Sequence, residues 1–162
     1  MKRRGMLVVV SAPSGAGKTT LCREVRSLLP DLAYSVSYTT RAPRPGEENG
    51  KDFHFVAEAT FKGMAEREEL AEWEVVHGNF YGTVSRPLDE ALAAGLDILL
   101  DIDTQGARQI RKRYPEAVYV FIVAPSMAEL EERLRERKVD SPQEIAKRLA
   151  RASRYRRSPL AR

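Results

Sequence analysis

The stretch Ser11-Ala-Pro-Ser-Gly-Ala-Gly-Lys-Thr-Thr20 decides the fold class of this chain. It follows an apolar run, Met6-Leu-Val-Val-Val10, and precedes a helix-like segment, so a strand, a glycine-rich turn, a lysine and a hydroxyl arrive in that order. Glycines in such a turn let backbone N–H groups point inward around phosphate oxygens, and the following helix adds the positive end of its dipole. The stretch therefore predicts a loop that binds the phosphates of a nucleoside triphosphate.

Each position of this phosphate loop has a predicted role. Lys18 supplies a mobile cation, Thr19 is placed to hold Mg²⁺ through its hydroxyl, and Thr20 either bonds phosphate or caps the helix. The usual pattern begins with glycine, and Ala12 stands in that place. An incidental glycine-rich turn is the alternative, which the flanking strand and helix disfavour. The predicted triphosphate contacts of the loop are Ala12, Ser14, Gly15, Ala16, Gly17, Lys18, Thr19 and Thr20.

Length and composition describe one globular domain. The chain has 162 residues, of which 43% are hydrophobic, enough to bury a sizeable core. Its single cysteine, Cys22, cannot form an internal disulfide, so we expect a packing residue in a cytoplasmic protein. Met1-Lys-Arg-Arg4 resembles the start of a signal peptide, but the apolar run behind it stops after about five residues. We therefore expect neither export nor a membrane span.

The positive charge is local. From Glu129 to Arg162 there are eleven Lys or Arg against six Asp or Glu, which leaves the preceding part at −1 out of the net +4. Such a patch could meet nucleic acid, but Tyr155 is its one aromatic residue and the chain already binds phosphates. We therefore expect small-molecule phosphates and no nucleic-acid partner.

The remaining pattern alternates between strands and helices, which predicts an α/β fold with a parallel sheet and right-handed crossovers. Asp101 lies at the acidic end of a buried strand, where open parallel sheets carry their ligands. The single Cys22 lies in the first helix. Strands are predicted at 6–10, 34–38, 97–103 and 117–123, and helices at 19–29, 105–113 and 126–137.

A small α+β insertion interrupts this alternation. The segment 39–47 holds two arginines between helix-breaking residues, so we expect an anion-binding loop there. A helix is then predicted to begin with Ser85 as N-cap and to stop at Gly95. The other predicted elements are a strand at 52–56, a helix at 58–69, a strand at 70–77 and a turn at 79–82.

Four motifs follow one another along the chain: Ser-x-Pro-Ser-Gly-x-Gly-Lys at 11–18, Ser37-x-Thr-Thr-Arg-x-Pro-Arg-x-Gly-Glu47, Asn79-Phe-Tyr-Gly82 and Leu100-Asp-Ile-Asp-x-Gln-Gly106. Taken together, over about residues 5–149, they resemble guanylate kinases. The resemblance implies a P-loop nucleoside-monophosphate-kinase fold, with a parallel sheet, flanking helices, a small α+β GMP-binding lobe and a helical lid. The implied divisions are a core at 5–34 and 84–128, the lobe at 35–83, the lid at 129–149 and a basic tail at 150–162.

The same resemblance implies the activity and its partners. It implies transfer of a phosphoryl group from ATP to GMP, and to dGMP, with Mg²⁺, in purine nucleotide metabolism, by a monomer or a homodimer. Two other readings stay open: a related kinase of small phosphate esters such as ribose bisphosphate, and a non-catalytic module that binds phosphopeptides. Intact Lys18 and Thr19 oppose the second, and the pairing of Glu72 with the arginine loop opposes the first.

The resemblance also assigns the acceptor site. Ser37, Arg41 and Arg44 face the acceptor phosphate, and guanidinium forks match its oxygens in pairs. Tyr81 adds a hydroxyl to that phosphate. Phe53 departs from the family, which usually has a second phosphate-binding tyrosine there, so we expect the acceptor to bind more weakly by about 1.5–3 kcal/mol.

Base recognition is implied for Glu72, Thr83 and Asp103. Guanine offers its N1–H and its exocyclic N2 amine side by side as hydrogen-bond donors. Adenine N1 is an acceptor, so its lone pair would face the carboxylate without a proton between them. From the residues alone Glu72 is one glutamate among several, and only the resemblance selects it. The implied specificity is therefore for guanine over adenine.

On the donor side the resemblance places Asp101 near Mg²⁺ and gives Arg133, Arg137 and Arg148 to a mobile lid. Its catalytic cations are Lys18, Arg41, Arg137 and Arg148, and neither His54 nor His77 is needed. A helix with solvated arginines is the alternative for the lid. After Leu149 the family's further helices and strand are missing, so we expect a truncated end in which residues 150–162 form a basic tail that adds no burial.

Overall fold

The computed structural model describes residues 3–76, 78–136 and 141–156. Two four-stranded sheets and the helices around them make up this part of the chain. In chain order the elements are β1 (Leu7–Ser11), α1 (Lys18–Leu28), β2 (Ala33–Tyr34), β3 (Tyr38–Thr39), β4 (His54–Phe55), α2 (Glu58–Glu66), β5 (Leu70–Val76), β6 (Asn79–Val84), α3 (Ser85–Ala93), β7 (Ile98–Asp101), α4 (Thr104–Arg113), β8 (Val118–Phe121), α5 (Met127–Glu136) and α6 (Pro142–Arg156).

The first sheet is entirely parallel, in the order β2-β7-β1-β8. Its strands are apolar because helices cover the sheet, and Val9 and Leu100 at its centre are fully buried. Val10 of β1 pairs with Asp101 of β7, so the phosphate loop and the acidic strand end meet at one edge. The predicted α/β fold with a parallel sheet and flanking helices is confirmed.

The second sheet, in the order β4-β3-β6-β5, contradicts two local predictions. Segment 79–82 was expected to be a turn, but it lies inside β6, because Phe80, Tyr81 and Thr83 favour extended structure and pair with β5. The reversal lies at Gly78 instead, with φ of 79°. Segment 34–38 was expected to be one strand, but it contributes to two, β2 and β3, which belong to different sheets.

Helix ends also differ in part from the expectations. Ser85 is the first residue of α3 rather than its N-cap, which is Val84, and both its backbone N–H and its hydroxyl donate to the Glu69 carbonyl. This bond ties α3 to the end of the second sheet. The predicted stop at Gly95 is confirmed by its φ of 87° after the last turn. Helix α2 ends at Glu66, three residues before the predicted 69.

Helices α5 and α6 form a hairpin-like pair whose facing side chains are buried. Leu130, Leu134, Ile145 and Ala152 belong to this cluster. The expectation that residues 150–162 add no burial is wrong for the described part, because α6 runs on to Arg156 and Ala152 is 3% exposed.

Two further sequence expectations can be checked on the whole fold. Cys22 is 3% exposed and packs with Val10 and Leu99, so its predicted packing role is confirmed. Burial, together with the nearby Asp101, raises the pKa of its thiol to about 11. Within the described residues, every helix is too short or too polar to cross a bilayer.

Candidate nucleotide site

The phosphate loop joins the carboxyl end of β1 to the amino end of α1. Gly15 and Gly17 have φ of 91° and 95°, a region that side chains rarely adopt, so the chain needs glycine at both places. A Cβ at Gly15 would stand 2.9 Å from the Leu134 side chain, which shows how closely α5 lies over the loop. Ala12 and Ala16 are buried in the same turn.

Lys18 is held by the neighbouring strand. Its Nζ forms an ion pair with Asp101 and donates a 2.8 Å hydrogen bond to the Ile102 carbonyl. The parallel register puts Asp101 beside the end of β1, so the pair follows from the topology. Thr19, the residue after Lys18 in α1, is exposed. A cation, a carboxylate and a hydroxyl therefore meet at one sheet edge.

Arg41 is bound to a carboxylate that sequence reasoning left without a role. Its two Nη atoms donate to the two oxygens of Glu47, each over 2.9 Å, and its Nε donates to the Tyr81 hydroxyl over 3.2 Å. The Arg44 backbone N–H donates to the same carboxylate over 2.7 Å. The hydrogen bonds that Arg41 donates to Glu47 lower the pKa of Glu47 and raise the pKa of Arg41.

Phe53 lies against these groups as an aromatic wall. The Arg41 guanidinium carbon is 5.4 Å from the Phe53 ring centre, and the Tyr81 ring meets Phe53 edge-on at 5.9 Å. Ser37 is close by, since its carbonyl accepts a 2.9 Å hydrogen bond from the His54 backbone N–H. Phe53 thus lies beside Arg41 and Tyr81, two residues predicted to bind the acceptor phosphate.

Glu72 is a buried carboxyl at the other end of this space. It is 4% exposed and accepts a 2.7 Å hydrogen bond from the hydroxyl of Thr83, which is 1% exposed. Burial raises the pKa of Glu72 to about 7, although the Thr83 bond acts in the opposite direction. Gly106 leaves room for it, since a Cβ there would stand 2.5 Å from Glu72 Oε2.

Asp103 caps helix α4 beside Glu72. Its Oδ1 accepts 2.8 Å hydrogen bonds from the backbone N–H groups of Gln105 and Gly106. Glu74 joins these two acids because it lines the same cleft, and burial together with the nearby Asp103 raises the pKa of its carboxyl. Sequence reasoning missed Glu74, although the two-residue period of a strand that presents Glu72 predicts the same direction for it.

Two of the three arginines predicted for a lid contact the phosphate loop. Arg133 Nη1 is 3.5 Å from the Ala16 carbonyl and its guanidinium also pairs with Glu129. Arg148 Nη1 donates to the Ser14 hydroxyl. Arg137, the remaining predicted lid residue, lies outside the described residues, as does His77. Helices α5 and α6 thus each bring one cation to the loop.

One cleft of about 550 Å³ is lined by ten of the twenty predicted site residues. Thr83 does not line the cleft but donates a hydrogen bond to Glu72, which does. Arg133 and Arg148 contact the phosphate loop from α5 and α6. Among the described residues no group of three His, Cys, Asp or Glu side chains forms a metal cage. The predicted residues that line the cleft are Lys18, Thr19, Ser37, Arg41, Arg44, Phe53, Glu72, Tyr81, Asp101 and Asp103.

Comparison with known proteins gives one consistent family. A sequence profile described as guanylate kinase matches residues 4–158. The guanylate kinase of Geobacter sulfurreducens is 56% identical over 149 residues, which cover 92% of this chain and 73% of that protein. That of Syntrophotalea carbinolica is 51% identical over 154 residues, covering 95% and 73%. The crystal structure of the Anaplasma phagocytophilum guanylate kinase superposes with a TM-score of 0.70 at 40% identity, covering 82% of this chain and 67% of that one.

Proposed function

The chain belongs to the guanylate kinase family, and from that premise we propose that it transfers the terminal phosphoryl group of ATP to GMP and dGMP. The observation that carries the proposal is Glu72, a buried carboxyl at one end of the cleft that holds Lys18. A carboxylate there suits the paired N1–H and N2–H donors of guanine. Adenine would leave the buried Glu72 carboxylate without a hydrogen-bond donor, which would weaken binding by about 1–3 kcal/mol.

The triphosphate is proposed to lie along the loop from Ala12 to Thr20. Backbone N–H groups of the loop face its phosphates, Ser14 lies among them, and Lys18 spans to the transferred group. In the structure Lys18 is paired with Asp101, so its charge is already directed to the sheet edge where the two substrates meet. Arg133 and Arg148 approach the same loop and supply two more positive charges.

The acceptor phosphate is proposed to bind Arg41 and Arg44, with Ser37 and Tyr81 beside it. Arg41 already holds a carboxylate in a two-pronged arrangement, the geometry in which guanidinium binds phosphate. A bound phosphate therefore replaces Glu47 on Arg41 or shares the guanidinium with it. Thr83 supports the base end by donating to Glu72, and Asp103 adds a second carboxylate.

Mg²⁺ fits the residues at the sheet edge. Thr19 and Asp101 offer a hydroxyl and a carboxylate oxygen in one cleft, and hard oxygen donors are what Mg²⁺ prefers. Two protein ligands suffice because Mg²⁺ keeps waters and substrate phosphates in its other positions. When bound, the ion neutralises charge on the triphosphate during transfer.

The chemistry needs no general base. The attacking atom is an oxygen of the GMP phosphate, which is already anionic near neutral pH. The chain therefore acts by alignment and by charge neutralisation through Lys18, Arg41 and the lid arginines, including Arg137. Closure of α5 and α6 over the loop excludes water from the transferred group.

The experiment is a coupled ADP-release assay with ATP and Mg²⁺, run with GMP, dGMP, AMP and CMP. We expect turnover with GMP and dGMP, none with AMP or CMP, and loss of turnover when EDTA removes the ion. A Lys18→Met variant is the negative control. No ADP release with GMP would reject the proposed activity, and equal use of AMP would reject the role of Glu72.

We also propose the organisation and setting of the protein. The core comprises 5–34 and 84–128, the GMP-binding lobe 35–83 and the lid 129–149, and the reduced Cys22 supports a cytoplasmic location in purine nucleotide metabolism. Limited proteolysis with and without GMP tests the lobe boundaries. Cleavage within 35–83 that GMP does not suppress would contradict them.

A further inference from the structure

The Arg41 guanidinium carries two forks of paired N–H groups, one formed by its two Nη atoms and one by Nε and Nη2. Glu47 fills the first fork, because its Oε2 accepts from Nη1 and its Oε1 accepts from Nη2, each over 2.9 Å. Nη1 also donates to the Ala42 carbonyl over 2.7 Å. The second fork contacts the Tyr81 hydroxyl, to which Nε donates over 3.2 Å. Glu47 and Tyr81 thus lie on different edges of the same guanidinium.

The Glu47 carboxylate is held by the turn that it closes. The Arg44 backbone N–H donates to Glu47 Oε2 over 2.7 Å, and the Glu47 backbone N–H donates to the Arg44 carbonyl over 3.0 Å. Gly46 supplies the φ of 86° inside this turn, in the left-handed region that glycine adopts without strain. One carboxylate therefore fixes both the side chain of Arg41 and the backbone of Arg44, the two arginines of the acceptor phosphate site.

The backbone of Arg41 is anchored separately, on the second sheet. Its N–H donates to the Thr39 hydroxyl over 3.2 Å, and that hydroxyl donates to the Phe80 carbonyl over 2.9 Å. Thr39 is fully buried. The Arg41 side chain therefore spans two fixed points, the sheet at its backbone and Glu47 at its guanidinium. The reach of residue 47 then sets where the second fork lies relative to Tyr81.

An acceptor phosphate can approach Arg41 by either fork. At the Nη1–Nη2 fork it would have to displace a carboxylate that three N–H groups bind, two from Arg41 and one from Arg44. Beside Tyr81 it meets the Nε–Nη2 fork and leaves Glu47 in place. On the basis of the proposed binding of GMP, we propose that Glu47 is a positioning residue, which stays on Arg41 and directs its second fork toward the acceptor phosphate.

The test shortens residue 47 and keeps its charge. In Glu47→Asp one methylene is lost, so either the bonds to Arg41 open or the guanidinium moves toward residue 47 and away from Tyr81. We expect the dissociation constant of GMP, measured by calorimetry, to rise about ten- to hundredfold. KM for GMP should rise with it, kcat should change less, and KM for ATP should stay the same. Glu48→Asp is the matched control, since Glu48 is exposed and pairs with Lys51 over 3.1 Å, and it should bind GMP as the unmodified protein does.

Guanosine separates positioning of Arg41 from a general loosening of the second sheet. It carries the base and lacks the phosphate, so its dissociation constant should be the same in Glu47→Asp and in the unmodified protein. Equal weakening of guanosine and GMP would overturn the inference, as would unchanged or tighter GMP binding, since tighter binding would mean that phosphate displaces Glu47. An unmodified protein that binds GMP without releasing ADP would instead reject the proposed activity, so the two failures are distinguishable.

Discussion

Thr83→Val removes one hydroxyl from beneath the Glu72 carboxylate and leaves the shape of the side chain nearly unchanged. Thr83 donates to Glu72 Oε1 over 2.7 Å, and both side chains are buried. Burial favours the neutral form of Glu72 and raises its pKa to about 7, whereas the hydrogen bond from Thr83 favours the charged form. Without the hydroxyl, the pKa of Glu72 rises further, and a smaller fraction of the protein carries the ionised Glu72 that pairs with guanine.

The magnitude follows from the strength of a hydrogen bond to a charged group. Such a bond contributes about 1.5–3 kcal/mol, which is roughly one to two pKa units. The ionised fraction of Glu72 at pH 7 then falls from about one half to between about one tenth and one hundredth. KM for GMP should therefore rise about five- to fiftyfold at pH 7, and by about twofold or less at pH 9.

The assay is the coupled ADP-release measurement, run from pH 6 to pH 9 on the unmodified protein, Thr83→Val and Thr83→Ser. The serine variant keeps the hydroxyl and should follow the unmodified protein at every pH. An equal rise in KM for Thr83→Val at pH 7 and pH 9 would refute the reasoning, because a lost direct contact with the base has no such pH dependence.

Three further variants test other parts of the site. Phe53→Tyr restores a hydroxyl beside Arg41 and should lower KM for GMP about tenfold or more in the coupled assay; equal KM values would show that the hydroxyl does not reach the phosphate. Lys18→Met should lower kcat about 10²–10³-fold with little change in KM for GMP, and an unchanged kcat would remove Lys18 from the mechanism. Glu72→Gln should abolish GMP use yet stabilise the protein above pH 7. Burial raises the pKa of Glu72 from 4.5 to about 7, so the stability due to its neutral form is complete below pH 4.5 and is lost as pH rises through 7. Urea unfolding at pH 8 should show a gain of up to roughly 3 kcal/mol, and at pH 4 none.

The core was predictable because its signals are local. The order of strand, glycines and lysine fixed the loop before α1, and the apolar strands with intervening helices fixed a parallel sheet. The end of β7 at Asp101 put a carboxylate beside Lys18, as the strand pairing requires. These features depend on chain order and periodicity, which the sequence displays directly.

The second sheet was harder to predict because its structure depends on pairing between distant segments. Asparagine and glycine at 79–82 suggested a turn, but pairing with β5 extends this segment, and Gly78 makes the reversal. The role of Glu47 arises from a partner that only the folded chain brings near, Arg41. The place of Glu74 in the cleft follows from the pairing of β5 with β6. Local propensity carries no information about such contacts.

Helices α5 and α6 were predicted only in part. The arginines at 133 and 148 follow from the family resemblance, but the burial of Ala152 depends on the helix–helix contact, which a basic composition conceals. A charged helix can bury a narrow apolar stripe, in α6 formed by Ile145, Leu149 and Ala152, and its sequence still resembles a polar tail. This is why the length and the burial of α6 beyond Leu149 were not predicted.

The joint between β5 and α4 gives the protein an intrinsic optical probe. Trp73 is the single tryptophan of the chain, 41% exposed, and its ring meets Phe80 at 5.9 Å while its backbone is bonded to Gln109. Any rotation of the second sheet relative to α4 alters the solvent and quenchers around this indole. We therefore expect its emission to report any such rotation during a GMP titration of the unlabelled protein.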